Sequence, residues 1–458
     1  MNPILFIFRR DLRLEDNTAL IAALNSDKPV ITCFILNPKQ LEQNPYRGEP
    51  AVYFLYNSLL DLKQQLEAKG GKLYIFHGEP TNIIENLVKQ QNIEEVYINQ
   101  DYTPFSKQRD VDMQAMCSKH NVKFNSYHDA LLSVPGTVHK DDGLPYTVYT
   151  PFARRARLQP VLKPQTLPSV ANWFTAKIED QVQNLKEIMN VQPSEHYVLQ
   201  GGRAEGLTLL RDIKKLGNYK EQRDFPILNA TSHLASHHKF GTISIRETYL
   251  ETTKFHGVDS TIINELYWRD FFTHIVHHFP HVLSGAFRPQ YNKLQWNNSR
   301  EDFNKWCNGQ TGFPIVDAGM RELNKTGLMH NRVRMIVASF LVKDLHINWQ
   351  WGERYFAQKL LDYDPAVNNG NWQWAASTGC DAQPYFRIFN PWRQQERFDA
   401  KCEYVKHWVP ELQELTSKEI HNLYKSPADL FSNYPEPMID HSKESAAAKE
   451  LYKSCKPA

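Results

Sequence analysis

Cysteine is sparse and poorly spaced for chemistry. The six cysteines, at 33, 117, 307, 380, 402 and 455, include no C-x-x-C pair, which removes zinc ribbons and disulfide frameworks from consideration. No apolar run approaches the ~20 residues that span a bilayer. The opening MNPILFIFRRD has too short an apolar stretch for a secretory leader, with its charges on the wrong side. A reducing cytoplasmic setting is expected. An excess of one charge is missing too: 53 basic residues stand against 51 acidic ones, for a net charge of +2. Any polyanion must therefore be met by a local patch. There is no G-x-x-x-x-G-K-[ST] loop, and GGRAEG (201–206) has the wrong spacing for G-x-G-x-x-G and reads as a helix-entry loop. A nucleotide bound here is held by neither phosphate loop. Finally, none of the ten tryptophans precedes Trp173, and nine fall between Trp268 and Trp408. The two halves of the chain are chemically different.

At 458 residues the chain exceeds the ~250–300 at which one core stops growing, so at least two domains are expected. ILFIF (4–8), PVITCFIL (29–36), KLYIFHG (72–78), EEVYINQ (94–100) and VKFNSYH (122–128) read as strands. Helical patterns at 51–71 and at 83–92, the latter with a Thr-Asn start, lie among them. Strands apolar on both faces and separated by helices predict a parallel, Rossmann-like sheet in an α/β domain over 1–130. From 131 to 195 prolines break the periodicity, as in LQPVLKPQTLPS (158–169), and a long surface connector is expected. From 196 to 458 helix-length patterns dominate, as at 260–279 and 327–347, and predict an all-α domain.

Several constellations stand out. HIVHHFPH (274–281) has helical histidine spacing, but no carboxylate or thiolate ligand is identifiable beside it, so no metal is expected. Glu265, Trp268 and Arg269 fall at i, i+3 and i+4 and share one helix face. Alone they read more readily as a surface ion pair beside a core ring than as a binding face. NNGNWQWAASTG (368–379) places two tryptophans after what reads as a polar Asn-Asn-Gly-Asn turn, with Asp362 and Asp364 upstream. Carboxylates in such a pocket need partners, and Arg334 is the candidate. Trp372 and Trp374, two positions apart, point to different sides of a helix.

FRRDLRLEDNTAL (8–20), TSHLASHHKFGTISIRE (231–247), NELYWRDFF (264–272), TGFPIVDAGMREL (311–323), GLMHNRVRM (327–335) and NNGNWQWAASTGCDAQPYFRIFNP (368–391) together resemble the DNA photolyase/cryptochrome family. The closest likeness is to class I cyclobutane pyrimidine dimer photolyases, which are carbon–carbon lyases. The resemblance implies an antenna-bearing α/β domain followed by a helical domain that holds FAD. It also implies light-driven electron transfer from reduced flavin to a dimer flipped out of UV-damaged DNA. By motif position, Glu265, Trp268, Asn331, Met335 and Trp374 would meet the dimer. Tyr219, Thr231, Ser232, Leu234, Ser236, Arg269, Arg334, Asp362, Asp364 and Asn368 would bind FAD, with Arg334 paired to Asp362. Trp296, Trp349 and Trp372 match an electron-carrying tryptophan chain. Arg223, Arg332 and Gln394 match DNA contacts. A departure lies in T-S-H-L-A, where Ala235 replaces a phosphate-contacting serine; Ser236 is the candidate substitute. QDYTPFSKQRD (100–110) lines the expected antenna pocket, for methenyltetrahydrofolate or 8-hydroxy-deazaflavin. A monomer is expected, with no membrane partner.

The competing reading is a non-repairing cryptochrome, a blue-light photoreceptor. The short stretch after DLFSNYP (429–435) and the presence of Trp374 favour the repair enzyme. A (6-4) photolyase is disfavoured, because Asn331 stands in the region of that enzyme's histidine pair.

Overall fold

The computed structural model describes residues 1–192, 195–425 and 433–455. The start of the DLFSNYP landmark (429–432) and the end of the expected connector (193–194) lie outside the described residues. All five expected strands form: β1 (Ile4–Phe8), β2 (Val30–Leu36), β3 (Leu73–His77), β4 (Glu95–Asn99) and β5 (Lys123–Tyr127). They make one parallel sheet in the order β3-β2-β1-β4-β5. β1 is central and wholly buried, which is why ILFIF carries no polar residue. β5, at the edge, carries the polar KFNSY and is only partly buried. The helices Glu49–Ala68, Pro80–Gln91 and Pro104–Lys119 connect the strands. The second of these starts ahead of the expected Thr-Asn, because Pro80 occupies its first turn behind Glu79.

The chain divides into two compact units. The first comprises 1–194, 199–217 and 232–280, so residues beyond the expected boundary at 196 join the α/β unit. A buried ion network explains the attachment. Arg246 meets Asp16 and Asp129, both at 2.8 Å, and Arg13 meets Asp129 at 2.6 Å. Gly241 has φ +67°, and a Cβ there would lie 2.1 Å from the Arg10 carbonyl oxygen, so only glycine permits this approach. The connector is not entirely irregular, as the prolines suggested: Tyr149–Ala156 is helical. Its hydrophobic side, Phe152 with Ala153 and Ala156, is buried, and tertiary packing overrides the breakers.

The second unit comprises 195–198, 218–231 and 281–458 and is helical among its described residues. Trp306 is fully buried at its centre, among Phe313, Phe340, Trp349, Trp372 and Trp392, and donates from Nε1 to the Val337 carbonyl at 3.0 Å. The pattern expected as one helix over 327–347 begins at Asn331, capped by His330, and loosens to a π-turn over Phe340–Asp344. The Asn-Asn-Gly-Asn stretch is not a turn. It lies inside the helix Pro365–Ala375, whose first turn is fixed by Asp364 accepting from the Ala366 and Val367 amides. Asn368 and Asn369 donate to the Glu353 and Val282 carbonyls instead of their own backbone, which removes much of the local competition that favours turns; Asn371 donates to Val367 of its own helix. No helix among the described residues is long and apolar enough to cross a membrane.

Candidate functional site

In the α/β unit, Ser260 caps the helix Thr261–His278 by accepting from the Ile263 amide. Glu265, Trp268 and Arg269 are each partly buried on it. Trp268 packs against Phe271 and Phe272, with ring centroids 5.7 and 5.5 Å away. Arg269 donates to the Ala130 carbonyl at 2.6 Å and the His238 carbonyl at 3.3 Å. Toward the end of this helix, burial lowers His274 to a pKa of about 4, and His277 likewise. His274 Nε2 sits 3.2 Å from the Ser133 carbonyl oxygen. Ser232, Leu234 and Ser236 flank the start of the short helix Ala235–Phe240. Ala235 is exposed, whereas Leu234 and Ser236 are buried. Ser236 Oγ has no hydrogen-bond partner among the described residues.

A pocket opens at the carboxyl ends of β1, β4 and β5. Arg9, Arg10, Asn99, Asp101, Tyr102 and Asp129 are among the residues that line it. The position is the one the topology favours: β1 and β4 are neighbours where the strand order reverses, which leaves a crevice. Asp101 pairs with Arg10 at 3.2 Å and accepts from Ser106 Oγ at 2.9 Å. Burial works to raise its carboxyl, but Arg10 and Arg109 overcome this and hold it well below the ordinary range. Burial, aided by Arg9, lowers Arg109 to about 10. Of the segment 100–110, Gln100, Asp101 and Tyr102 line this pocket.

In the helical unit, Arg334 and Asp362 are paired as expected, at 2.9 Å, and Arg334 also donates to the Met329 carbonyl. The second carboxylate oxygen of Asp362 is buried without a hydrogen-bond partner among the described residues. Asn368 donates to the Glu353 carbonyl at 3.0 Å, which fixes its side chain. Trp372 is buried and Trp374, two residues on, is partly exposed, so the two do face different sides. Trp372 and Trp349 are 2% and 3% exposed, and partly exposed Trp296 packs on the same cluster. Asn331 and Met335 lie one turn apart, 3.8 Å between Nδ2 and Sδ. Tyr219 is buried beneath the Arg223 guanidinium, 5.7 Å from the ring centre. Thr231 is partly buried. Arg332 pairs with Asp224 at 2.9 Å and stacks on Phe398. Its Nε, like Gln394 Oε1, is buried with no hydrogen-bond partner among the described residues.

Two residues near these positions carry no sequence signal. Tyr149 stacks on Trp268 from a distant part of the chain, and no periodicity links the two. Glu353 reads as an ordinary helix carboxylate, yet it is 3% exposed and accepts from Asn369 at 3.3 Å. Burial raises its pKa to about 7, against the pull of that hydrogen bond. The folded state therefore favours the protonated form. Stability from this group is full below the unfolded carboxyl pKa and is lost as pH rises through about 7. A Glu353→Gln variant removes the titration. Its unfolding free energy in urea, measured against the unaltered protein, is expected to gain about 2–3 kcal/mol between roughly pH 5 and pH 8. A flat difference would show that Glu353 is ionised throughout.

In the second unit, the buried Asp362 oxygen that meets no partner among the described residues, with the Arg334–Asp362 pair, fits a group that holds a polar ligand rather than core packing. Comparison with known proteins gives that ligand a class. Residues 4–170 match the DNA photolyase family model, and residues 262–454 match the FAD binding domain of DNA photolyase. A deoxyribodipyrimidine photo-lyase of Vibrio cholerae is 37% identical over 98% of this chain and 99% of its own length. That of Escherichia coli is 33% identical over 100% and 99%. The structure of an archaeal photolyase from Sulfolobus tokodaii with two FAD molecules superposes with a TM-score of 0.90 at 41% identity, covering 99% of this chain and 100% of that one. A cryptochrome of Synechocystis superposes at 0.91 with 29% identity, over 98% and 99%. With both halves of the family model matched and relatives aligned end to end, the chain belongs to the DNA photolyase family.

Proposed function

We propose that this protein is a light-driven lyase that splits cyclobutane pyrimidine dimers in DNA. The observation that carries the reading is the sharing of one helix face by Glu265 and Trp268, a carboxylate beside an aromatic ring on a rigid element. Photolyases are among the enzymes for which base flipping is generally described. A base taken out of the duplex needs a stacking surface, worth ~1–3 kcal/mol per base, and a polar group at its edge. Trp268 supplies the first and Glu265 the second. By motif position, Trp374, Asn331 and Met335 would also meet the dimer.

Tyr219, Thr231, Ser232, Leu234, Ser236, Arg269, Arg334, Asp362, Asp364 and Asn368 would hold FAD, with Ser236 in place of the serine missing at Ala235. The chemistry that the reduced flavin would supply is light-driven electron donation to the dimer and recovery of that electron. The burial of Trp372 and Trp349 and the partial exposure of Trp296 support a path for electrons from solvent inward. Arg223, Arg332 and Gln394 grip the DNA backbone, so binding weakens as salt rises. The pocket at the ends of β1 and β4 takes the second chromophore, methenyltetrahydrofolate or 8-hydroxy-deazaflavin.

Purified, photoreduced protein mixed with UV-irradiated oligothymidine is expected to restore the thymine absorbance under near-UV light and not in darkness. Equal recovery in both conditions defeats the reading. Flavin photochemistry with no recovery in either points to the cryptochrome alternative.

A further inference from the structure

Trp268 does not stand alone. Tyr149, the first residue of the helix Tyr149–Ala156, lies flat against it, with ring centres 3.6 Å apart and planes 8° from parallel. Aromatic pairs usually meet offset or edge-on at ~4.5–7 Å, so this close sandwich is held by its surroundings. Tyr149 donates its hydroxyl to the Asn264 carbonyl at 2.7 Å, one turn before Trp268. Phe152, one turn on from Tyr149, packs against Phe271 and His274. Arg157, just past the helix, donates to Asn264 Oδ1 at 2.7 Å and to the Val258 carbonyl at 2.8 Å. The tyrosine ring is clamped to the helix Thr261–His278 at both ends of its own short helix.

The indole has two faces and an edge. Tyr149 covers one face, while Phe271 and Phe272 pack around the ring at 82° and 32°. Trp268 nevertheless keeps part of its surface exposed. We infer that Tyr149 is a positioning residue for lesion recognition: it locks the Trp268 ring so that its opposite face is already set to stack on a pyrimidine of the extrahelical dimer. The inference rests on the proposed role of Trp268. A ring free to change rotamer must be immobilised on binding, and that loss lowers affinity; a ring already stacked has been ordered during folding. Undamaged DNA presents no extrahelical base, so Tyr149 acts on discrimination and not on general DNA affinity.

The test measures dissociation constants for an oligonucleotide carrying a single thymine dimer and for its undamaged counterpart. Tyr149→Leu keeps apolar bulk but no flat ring. It is expected to weaken lesion binding by roughly 3- to 10-fold and leave undamaged DNA unaffected. Tyr149→Phe keeps the ring and is expected to discriminate as the unaltered protein does. In a Trp268→Ala background, Tyr149→Leu is expected to cause no further loss, an outcome that a merely structural role would not produce. Equal losses on both DNAs, a loss that persists without Trp268, or lost discrimination in Tyr149→Phe would each overturn the inference; the phenylalanine variant decides it if the leucine variant does not fold. Full lesion affinity in Trp268→Ala alone instead overturns the role of Trp268.

Discussion

A Glu265→Ala variant is expected to keep its fold and its flavin and to lose repair by ~10-fold or more. Glu265 is partly exposed in the middle of the helix Thr261–His278, and alanine is the strongest helix former, so little stability is at stake. The loss falls on the chemistry. Charge arriving on a base in a site shielded from water is stabilised by a group already in place, and removing one such hydrogen bond costs ~3 kcal/mol. Glu265→Gln retains a hydrogen-bonding edge without the charge and is expected to fall between the two. Dimers split per absorbed photon, at saturating DNA, measure the effect directly. A yield equal to that of the unaltered protein would remove Glu265 from the reaction.

The second large effect lies at a residue with no side chain. A Cβ on Gly352 would sit 2.1 Å from Cη2 and 2.6 Å from Cζ3 of Trp372, and 2.6 Å from a Leu341 methyl. Trp372 cannot retreat easily, since Phe356 and Trp306 pack around it with ring centres 4.9 and 6.2 Å away. Gly352→Ala gains up to ~1 kcal/mol of helix propensity but overpacks the core at ~1–3 kcal/mol or more, and the clash wins. The variant is expected to melt earlier and to photoreduce oxidised flavin several-fold more slowly, because the indole proposed to carry the electron is displaced. Dithionite-reduced variant is expected to repair dimers normally. Trp296→Phe is expected to share the photoreduction defect without the loss of stability, since Trp296 is only partly buried. Normal photoreduction in Gly352→Ala would detach Trp372 from the electron path.

Much of this was legible in the residues because it depends on local pattern. β1, β2 and β3 announced themselves as apolar runs, since strands buried on both faces have no solvent side to mark with polar residues. The Glu265–Trp268–Arg269 face follows from helical spacing, and the Arg334–Asp362 pair from the need of a shielded carboxylate for a cation. Local pattern misled where long-range partners outvote it. Asn-Asn-Gly-Asn has turn composition, yet the Glu353 and Val282 carbonyls take up two of its amides and Asp364 starts a helix there.

The α/β-then-helical order, the strand set and the family's residue pattern are all written in neighbouring side chains. Long-range packing alone sets the rest: residues 232–280 join the sheet-bearing unit through Asp16, Asp129 and Arg246, Glu353 is buried enough to hold a proton, and Tyr149 backs Trp268. Each of these depends on groups far apart along the chain, whose burial and separation are set by the packing of whole elements rather than by spacing within any one of them.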